Sequence, residues 1–358
     1  MRRMMKVQVG ALLLAVGLAA TGCSGGATKA GSGNGSDEQI TIGFALPVLA
    51  NPFWRKEADF AKYVGEQLGN VKVVIVDAES DEGKQVQQVE SLISQGVDGI
   101  IASPVTQAVG PALLRAAEQA DIPMVFAERN PGLKPEDYKG EAYVGYVGAN
   151  GRQGATDAAE QLYKTGARRV VAMAGKKGSS VADERVGGLM EFAENHPDFE
   201  VLQVQYDAEL QAEGLKIAEN YLSAYPGPGF DAVWCYNDEG ALGTAQAIKQ
   251  ASLQDKVKIT GFDGTAEATA AIINGEMLAT AGGQFIDGGL ALIMLYDAIH
   301  GKKPKNAYVE MPLLLIEPSN AAAYKEQFVD SLPQYDVKQL SQVFNESAST
   351  DDYKIELK

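Results

Sequence analysis

From residue 39 onward the chain repeats one local pattern: a short β-branched run, then a stretch with helical spacing. Runs at 40–46, 71–76, 99–103 and 123–127 read as strands, and 54–68, 82–95 and 109–119 between them read as helices. The pattern then restarts. Helices are expected over 151–164, 185–195, 210–223 and 239–250, and strands over 169–174, 201–206, 232–236 and 258–262. Two further helical stretches, 266–271 and 290–298, read as core. Nearly continuous apolar strands alternating with helices call for a parallel sheet covered on both faces. The two halves also echo each other. Residues 73–104 run strand, acidic turn, helix, Gly-Val-Asp-Gly, strand; residues 200–238 run strand, acidic turn, helix, Phe-Asp-Ala, strand. The expected fold is α/β, with two similar doubly wound parallel-sheet lobes.

Open parallel sheets bind ligands beyond the carboxyl ends of their strands, so the residues just after each strand matter most. Asn51-Pro52-Phe53-Trp54 follows the first, Ser103-Pro104 the third and Glu128-Arg129 the fourth. In the second half Asp183 and Arg185 follow one strand, Asp207 and Glu209 another, Asn237-Asp238 a third and Asp263 a fourth. Each alone has a plain structural reading: Asn51 starts a turn, Trp54 fills a core, Asn237 caps a helix, Asp263 turns before Gly264, Arg185 lies on a helix surface. Glu209 is even between pocket and surface. The concentration of polar forks and aromatics at strand ends is what points to a ligand cleft.

The chain begins with a basic segment, Met1 to Lys6, then an apolar run over 7–20 and Ala20-Thr21-Gly22-Cys23. That is the layout of a secretory signal peptide, and the run is too short to span a bilayer. Residues 24–36 are low in complexity and read as a tether. The chain has 358 residues, enough for two lobes beyond the leader. Its formal charge is −16, and losing Arg2, Arg3 and Lys6 takes it to −19. Nucleic acid and anionic membrane surfaces are therefore not expected partners. Of the two cysteines, Cys235 sits in an apolar strand, as a small hydrophobe or a reactive thiol. His196 and His300 have no metal-ligand spacing, and neither metal nor cofactor is expected.

Five segments carry a family resemblance: Asn51-Pro52-Phe53-Trp54, Gly96-Val97-Asp98-Gly99-Ile100-Ile101, Ile122-Pro123-Met124-Val125, Asn237-Asp238-Glu239-Gly240-Ala241-Leu242-Gly243 and Val257-Lys258-Ile259-Thr260-Gly261-Phe262-Asp263-Gly264. With them the chain, from about residue 39 to 324, resembles the type I periplasmic binding proteins of the ribose/galactose-binding family. The start Ala20-Thr21-Gly22-Cys23 resembles a bacterial lipobox, which implies a lipidated Cys23 and a protein tethered by lipid outside the cell membrane. The resemblance implies a three-strand hinge, with crossings near 147–149, 282–284 and 311–313. The implied layout is a leader over 1–22, a tether over 23–38, a first lobe of 39–147 plus 285–311, a second of 148–284 plus 312–330, and a polar tail over 331–358.

Carried over residue by residue, the resemblance implies a monosaccharide site. Asn51, Phe53, Trp54 and Arg129 come from the first lobe; Arg185, Asn237, Asp263 and Gln284 match polar ligands of the second. Ser103 stands where ribose binders have asparagine, Glu128 replaces the usual aspartate, and Glu209 falls where an aromatic often closes the pocket. The chemistry fits: carboxylates accept from paired hydroxyls, guanidinium and amide groups donate to them, and rings pack on sugar C–H faces. Burying Glu128, Asp263 and Glu209 beside a neutral sugar calls for pairing with Arg129 and Arg185.

The leading functional expectation is a monomeric solute-binding lipoprotein that delivers a monosaccharide to an ABC permease. A sensory protein showing its closed form to a chemoreceptor or sensor kinase is the alternative. An enzyme such as a glycosidase would need two carboxylates placed across a glycosidic bond, and none is expected. Some galactose-type relatives hold calcium in an Asp-rich loop, and no Asp-x-Asn-x-Asp run occurs here.

Overall fold

The computed structural model describes residues 39–357, apart from Pro228. The leader, the tether and Cys23 lie outside the described residues. The first lobe opens with β1 (Ile40–Leu46), α1 (Pro52–Leu68), β2 (Val71–Asp77), α2 (Glu82–Ser94), β3 (Gly99–Ala102), α3 (Gly110–Gln119), β4 (Met124–Ala127) and β5 (Tyr143–Ala149). The second runs α4 (Gly151–Lys164), β6 (Arg169–Met173), α5 (Ser180–Asn195), β7 (Glu200–Gln205), α6 (Gln211–Ala224), β8 (Ala232–Cys235), α7 (Asp238–Gln250), β9 (Lys258–Asp263), α8 (Ala266–Ile273) and β10 (Ala279–Gly282). The chain then returns for α9 (Asp287–Ile299) and β11 (Tyr308–Met311), and leaves again for β12 (Leu314–Ile316).

Each lobe holds one six-stranded sheet. The orders are β2-β1-β3-β4-β5-β11 and β7-β6-β8-β9-β10-β12. Both begin with the same 2-1-3-4-5 winding, so each has its switch point beside its first strand, at β1/β3 and β6/β8. The first sheet is wholly parallel; in the second only β12 runs antiparallel, against β10. Three short segments pass between the sheets: Ala149 to Gly151, Gly282 to Asp287 and Met311 to Leu314.

The central strands β3, β4 and β8 are buried along their whole length, which explains their unbroken apolar runs. Helix α9 is apolar on nearly every side because it is enclosed, packing on α1, β3, β4 and β5 of the first lobe. Leu290, Leu292, Ile293 and Leu295 on it are fully covered, each contributing about 1.5–3 kcal/mol of burial.

Two expectations are corrected. Helix α5 begins at Ser180 rather than at 185, so Arg185 lies in its second turn and not at its first residue. The stretch 331–358, read as a polar tail, is packed through 357. Val337, Tyr353 and Ile355 are buried, and Ser341 donates to Asp297 of α9. Its few apolar residues are spaced too irregularly to show a helix or strand period, yet they are what seats it.

Candidate functional site

The strand ends of both sheets face one cleft, and the two walls meet there. Asn51 is the N-cap of α1: its Oδ1 accepts from the Phe53 amide at 2.9 Å. Its Nδ2 reaches across to donate to the Glu209 carbonyl at 3.1 Å. Asn237 does the same from the other side. Its Oδ1 caps α7 through Gly240 N–H at 2.8 Å, and its Nδ2 donates to that same Glu209 carbonyl at 3.0 Å. Both asparagines therefore combine the capping reading with a place in the cleft.

Two guanidiniums organise the interior. Arg129 Nη2 sits 3.2 Å from Glu209 Oε2 and donates to the Tyr236 hydroxyl at 3.1 Å, both across the cleft. Its Nη1 donates to the Val105 carbonyl, and its plane lies 5.0 Å over the Trp54 ring. Arg185 answers from the second lobe: Nη2 pairs with Glu128 Oε1 at 3.1 Å, and Nη1 lies 3.5 Å from Asp263 Oδ1. Nη1 also donates to the Tyr236 carbonyl, and the group stacks over Phe262. Both arginines are 2 % exposed, which would be costly without such partners. Burial disfavours their charge, but the neighbouring acids win and hold both proton affinities above the ordinary arginine range.

The remaining expected residues are close by. Gln284 Nε2 donates to Asp263 Oδ1 at 2.9 Å. Phe53 and Trp54 meet edge to face with centroids 4.9 Å apart. Ser103 is fully buried but turns its Oγ to the Ala127 carbonyl at 2.8 Å, so it is tied to its own sheet. Glu209, even between two readings in the sequence, is buried in the cleft, with Oε1 accepting from the Lys176 amide at 2.8 Å. Asp183 and Asp207, also at expected strand ends, are exposed.

Glu128 and Asp263 share another feature. Their φ angles are 55° and 113°, in the region that favours glycine. Holding a non-glycine residue there costs on the order of 1–3 kcal/mol, and such strain gathers at binding sites. Burial raises both carboxyls above the usual range, most strongly for Asp263, while Arg185 pulls each back.

Three residues of this region, Tyr236, Glu57 and Asp287, escaped the sequence reading. Tyr236 follows β8 directly and bonds both arginines through its hydroxyl and carbonyl. Burial pushes its phenol up to about 12. Asp238, read in the sequence as half of the strand-end fork Asn237-Asp238, is fully buried. Glu57 on α1 and Asp287 at the start of α9 lie behind Glu128 with no exposed surface. The amide of Gly288 faces Glu57 without closing a good hydrogen bond, and the Asp287 carboxyl faces that of Glu128. Burial, then neighbouring acid charge, drives Glu57 and Asp287 well above the carboxylate range. Glu57 carried a signal that could have been read: it sits one helical turn after Phe53 and Trp54, on an otherwise apolar face.

Cys235 is enclosed in β8, and burial raises its thiol to about 12, so it is packing rather than a reactive group. Among the described residues no cluster of metal-ligating side chains occurs, and no helix is long and apolar enough to cross a membrane.

At the rim, Asn130 Nδ2 donates to Glu184 at 3.0 Å and the Asn130 amide to Ser180 Oγ at 3.1 Å. Lys176 Nζ crosses to the Ser80 carbonyl at 3.0 Å. The lobes are thus joined from the centre of the cleft to its edge.

Residues 42–303 match a family described as periplasmic binding protein domain. The chain is 31% identical over 286 residues to the ribose import binding protein of Bacillus subtilis, covering 79% of this chain and 89% of that one. Among solved structures, a solute-binding protein of an ABC transporter from Bacillus halodurans with bound myo-inositol superimposes with a TM-score of 0.73 at 26% identity, over 82% of this chain and 99% of the other. The binding component of an arabinose ABC transporter from Shewanella, bound to L-arabinofuranose, gives 0.75 at 25% identity over 81% and 96%.

Proposed function

Because the chain belongs to the periplasmic binding protein family, we propose that it captures one monosaccharide or close polyol relative between its lobes and passes it to an ABC permease. The observation that carries this reading is the paired guanidinium system at the meeting of the two walls. Arg129 and Arg185 each hold an acid of the opposite lobe. Arg129 Nε, Arg185 Nε and Gln284 Oε1 are buried with no hydrogen-bond partner among the described residues. Donors and acceptors interleaved in this way suit vicinal hydroxyls, each of which gives and takes a hydrogen bond. The relatives named above carry ribose, myo-inositol and arabinofuranose in their descriptions, which supports a neutral polyhydroxylated ligand.

In this reading Asn51, Glu128 and Arg129 grip the sugar from the first lobe, with Phe53 and Trp54 against its C–H face and Ser103 at the floor. Arg185, Glu209, Asn237, Asp263 and Gln284 close on it from the second. Direct contacts between the walls give way to contacts through the sugar, and closure reports occupancy to the permease. The protein works as a monomer outside the membrane, held by lipid on Cys23, and performs no chemistry on its cargo.

Titration calorimetry with D-ribose, L-arabinose, myo-inositol and a wider panel of pentoses, hexoses and furanosides tests the reading. One sugar per chain is expected. Asp263→Ala should weaken that binding about tenfold to a hundredfold, since a hydrogen bond to a charged group is worth roughly 1.5–3 kcal/mol, with the melting temperature little changed. Silence across the panel would refute the sugar assignment. For the anchor, Cys23→Ser should move the protein from the detergent phase to the aqueous phase; continued partitioning into detergent would place the anchor elsewhere.

A further inference from the structure

After its third crossing the chain does not end in the second lobe. Residues 321–324 pack on α8, with Tyr324 fully buried beside Gly264. The chain then turns through 325–329 and runs back onto the first lobe, where it stays to residue 357. Thr350 Oγ1 donates to the Asn306 carbonyl at 2.8 Å and accepts from its amide at 3.0 Å. Gln342 N–H donates to Asp297 of α9 at 2.8 Å. This is a fourth passage between the lobes.

Its aromatic side chains form a ladder across the hinge. Tyr324 stacks on Phe328 with centroids 5.0 Å apart. Phe328 meets Phe285 at 6.2 Å, Phe285 meets Phe60 of α1 at 5.9 Å, and Phe60 meets Tyr335 at 5.9 Å. Phe285 lies in the second crossing itself. Lys56 of α1 donates to the Phe328 carbonyl and lies 4.4 Å over the Phe285 ring. On the other flank of that crossing, Ile355 packs against Gly283, whose φ is 103°. Gln327 Nε2 donates to the Glu356 carbonyl at 2.7 Å, tying the two flanks together. The second crossing is thereby gripped from both sides.

We propose that residues 325–357 form a strap that biases the lobes toward the closed arrangement before any sugar arrives. Rotation about the crossings turns α8, with Tyr324 on it, away from α1. Phe328 must then leave either Tyr324 or the pair Phe285 and Lys56, so at least one of these contacts opens. These contacts are therefore differential between open and closed states, which is what shifts a two-state population. A cleft already leaning shut loses less freedom on binding, so the strap tunes affinity from outside the site. The proposal rests on the two-lobe capture reading for its purpose, but its test needs no ligand.

The test is small-angle scattering of the sugar-free protein, compared with a chain ending at Asp330 and with the full-length double variant Gln327→Ala, Phe328→Ala. Both variants should show a radius of gyration larger by about 1 Å, on a value near 20 Å for a compact chain of this size. A purely stabilising role in the first lobe predicts a lower melting temperature with no expansion, and that result overturns the proposal. If the shortened chain fails to fold, the double variant, which keeps the packing of 335–355, decides alone. Because the measurement is made without sugar, its outcome is separable from that of the titrations.

Discussion

The two lobes share a strand order but bury their acids in opposite ways. In the second, Asp238 accepts from the Thr265 amide at 2.8 Å and from the hydroxyls of Thr265 and Thr280 at 3.1 and 2.6 Å. It joins the start of α7 to the start of α8 and to β10, and all its capacity goes to structure. In the first, Glu57 and Asp287 are just as deep, and among the described residues no N–H or hydroxyl closes a hydrogen bond on any of their four oxygens. Burial raises all three, but hydrogen bonds draw Asp238 back, while Glu57 and Asp287 have chiefly the charges of nearby arginines to do so. The winding of a sheet thus does not dictate its polar interior. One lobe spends a buried acid on rigidity; the other keeps a pair unsettled beside the cleft.

The largest effect should come from the settled acid. Asp238→Ala leaves an amide and two hydroxyls buried without an acceptor, at about 1–3 kcal/mol each. Denaturant unfolding should show a loss of about 3 kcal/mol or more. A loss below about 1 kcal/mol would erase the contrast between the lobes.

Glu57→Gln should do the reverse and reveal itself through pH. The folded-state pKa of Glu57 lies above its ordinary value, so between the two the native state binds more protons than the unfolded chain. Wild-type stability must then fall as pH rises through that window, by up to about 1.4 kcal/mol per unit for one proton. The glutamine variant lacks that slope. Melting curves from pH 4 to pH 8 should show it gaining on the wild type as pH rises, with the gap closing toward pH 4. Parallel curves would mean that Glu57 is as settled as Asp238.

The smallest change belongs to the rim, where the lobes touch but bury little. Asn130→Ala removes the bond to Glu184 across the rim and two within the first lobe, from Gln107 Nε2 and the Gly132 amide, and should cost about 1–2 kcal/mol in melting experiments, since all three are half-buried and the amide of residue 130 keeps Ser180. A larger loss would move the junction between the lobes from the arginines to the edge.

Much of this was legible in the sequence. The enclosed strands announced themselves because a strand buried on both faces has no polar side to interrupt it. Asn51, Arg129, Arg185, Asn237 and Asp263 were found because strand ends of a parallel sheet share one side of it. What stayed hidden had a physical cause. Strand β10, Ala279-Thr280-Ala281-Gly282, is too short and small to show a period, and only its neighbours in the sheet define it. The start of α5 was read at 185 rather than 180 because its first turn, Ser180-Val181-Ala182-Asp183, lacks a clear apolar stripe. Glu57 and Asp287 were passed over because a charged residue in a helix normally faces water, and only the packing of α1 on α9 shows that these do not. The packing of Phe328, Tyr335, Tyr353 and Ile355 depends on partners far away in the chain.

The interleaved strand order also fixes when each half can finish forming. A chain read from its amino end has all five parallel strands of the second lobe by Gly282. The first lobe, begun much earlier, still lacks α9 and β11, and so the helix that covers β3, β4 and β5. Its apolar sheet face stays open through synthesis of the whole second half. Contacts so distant along the chain form slowly, and a half-built sheet invites other binders meanwhile. The lobe made first is the last that can seal.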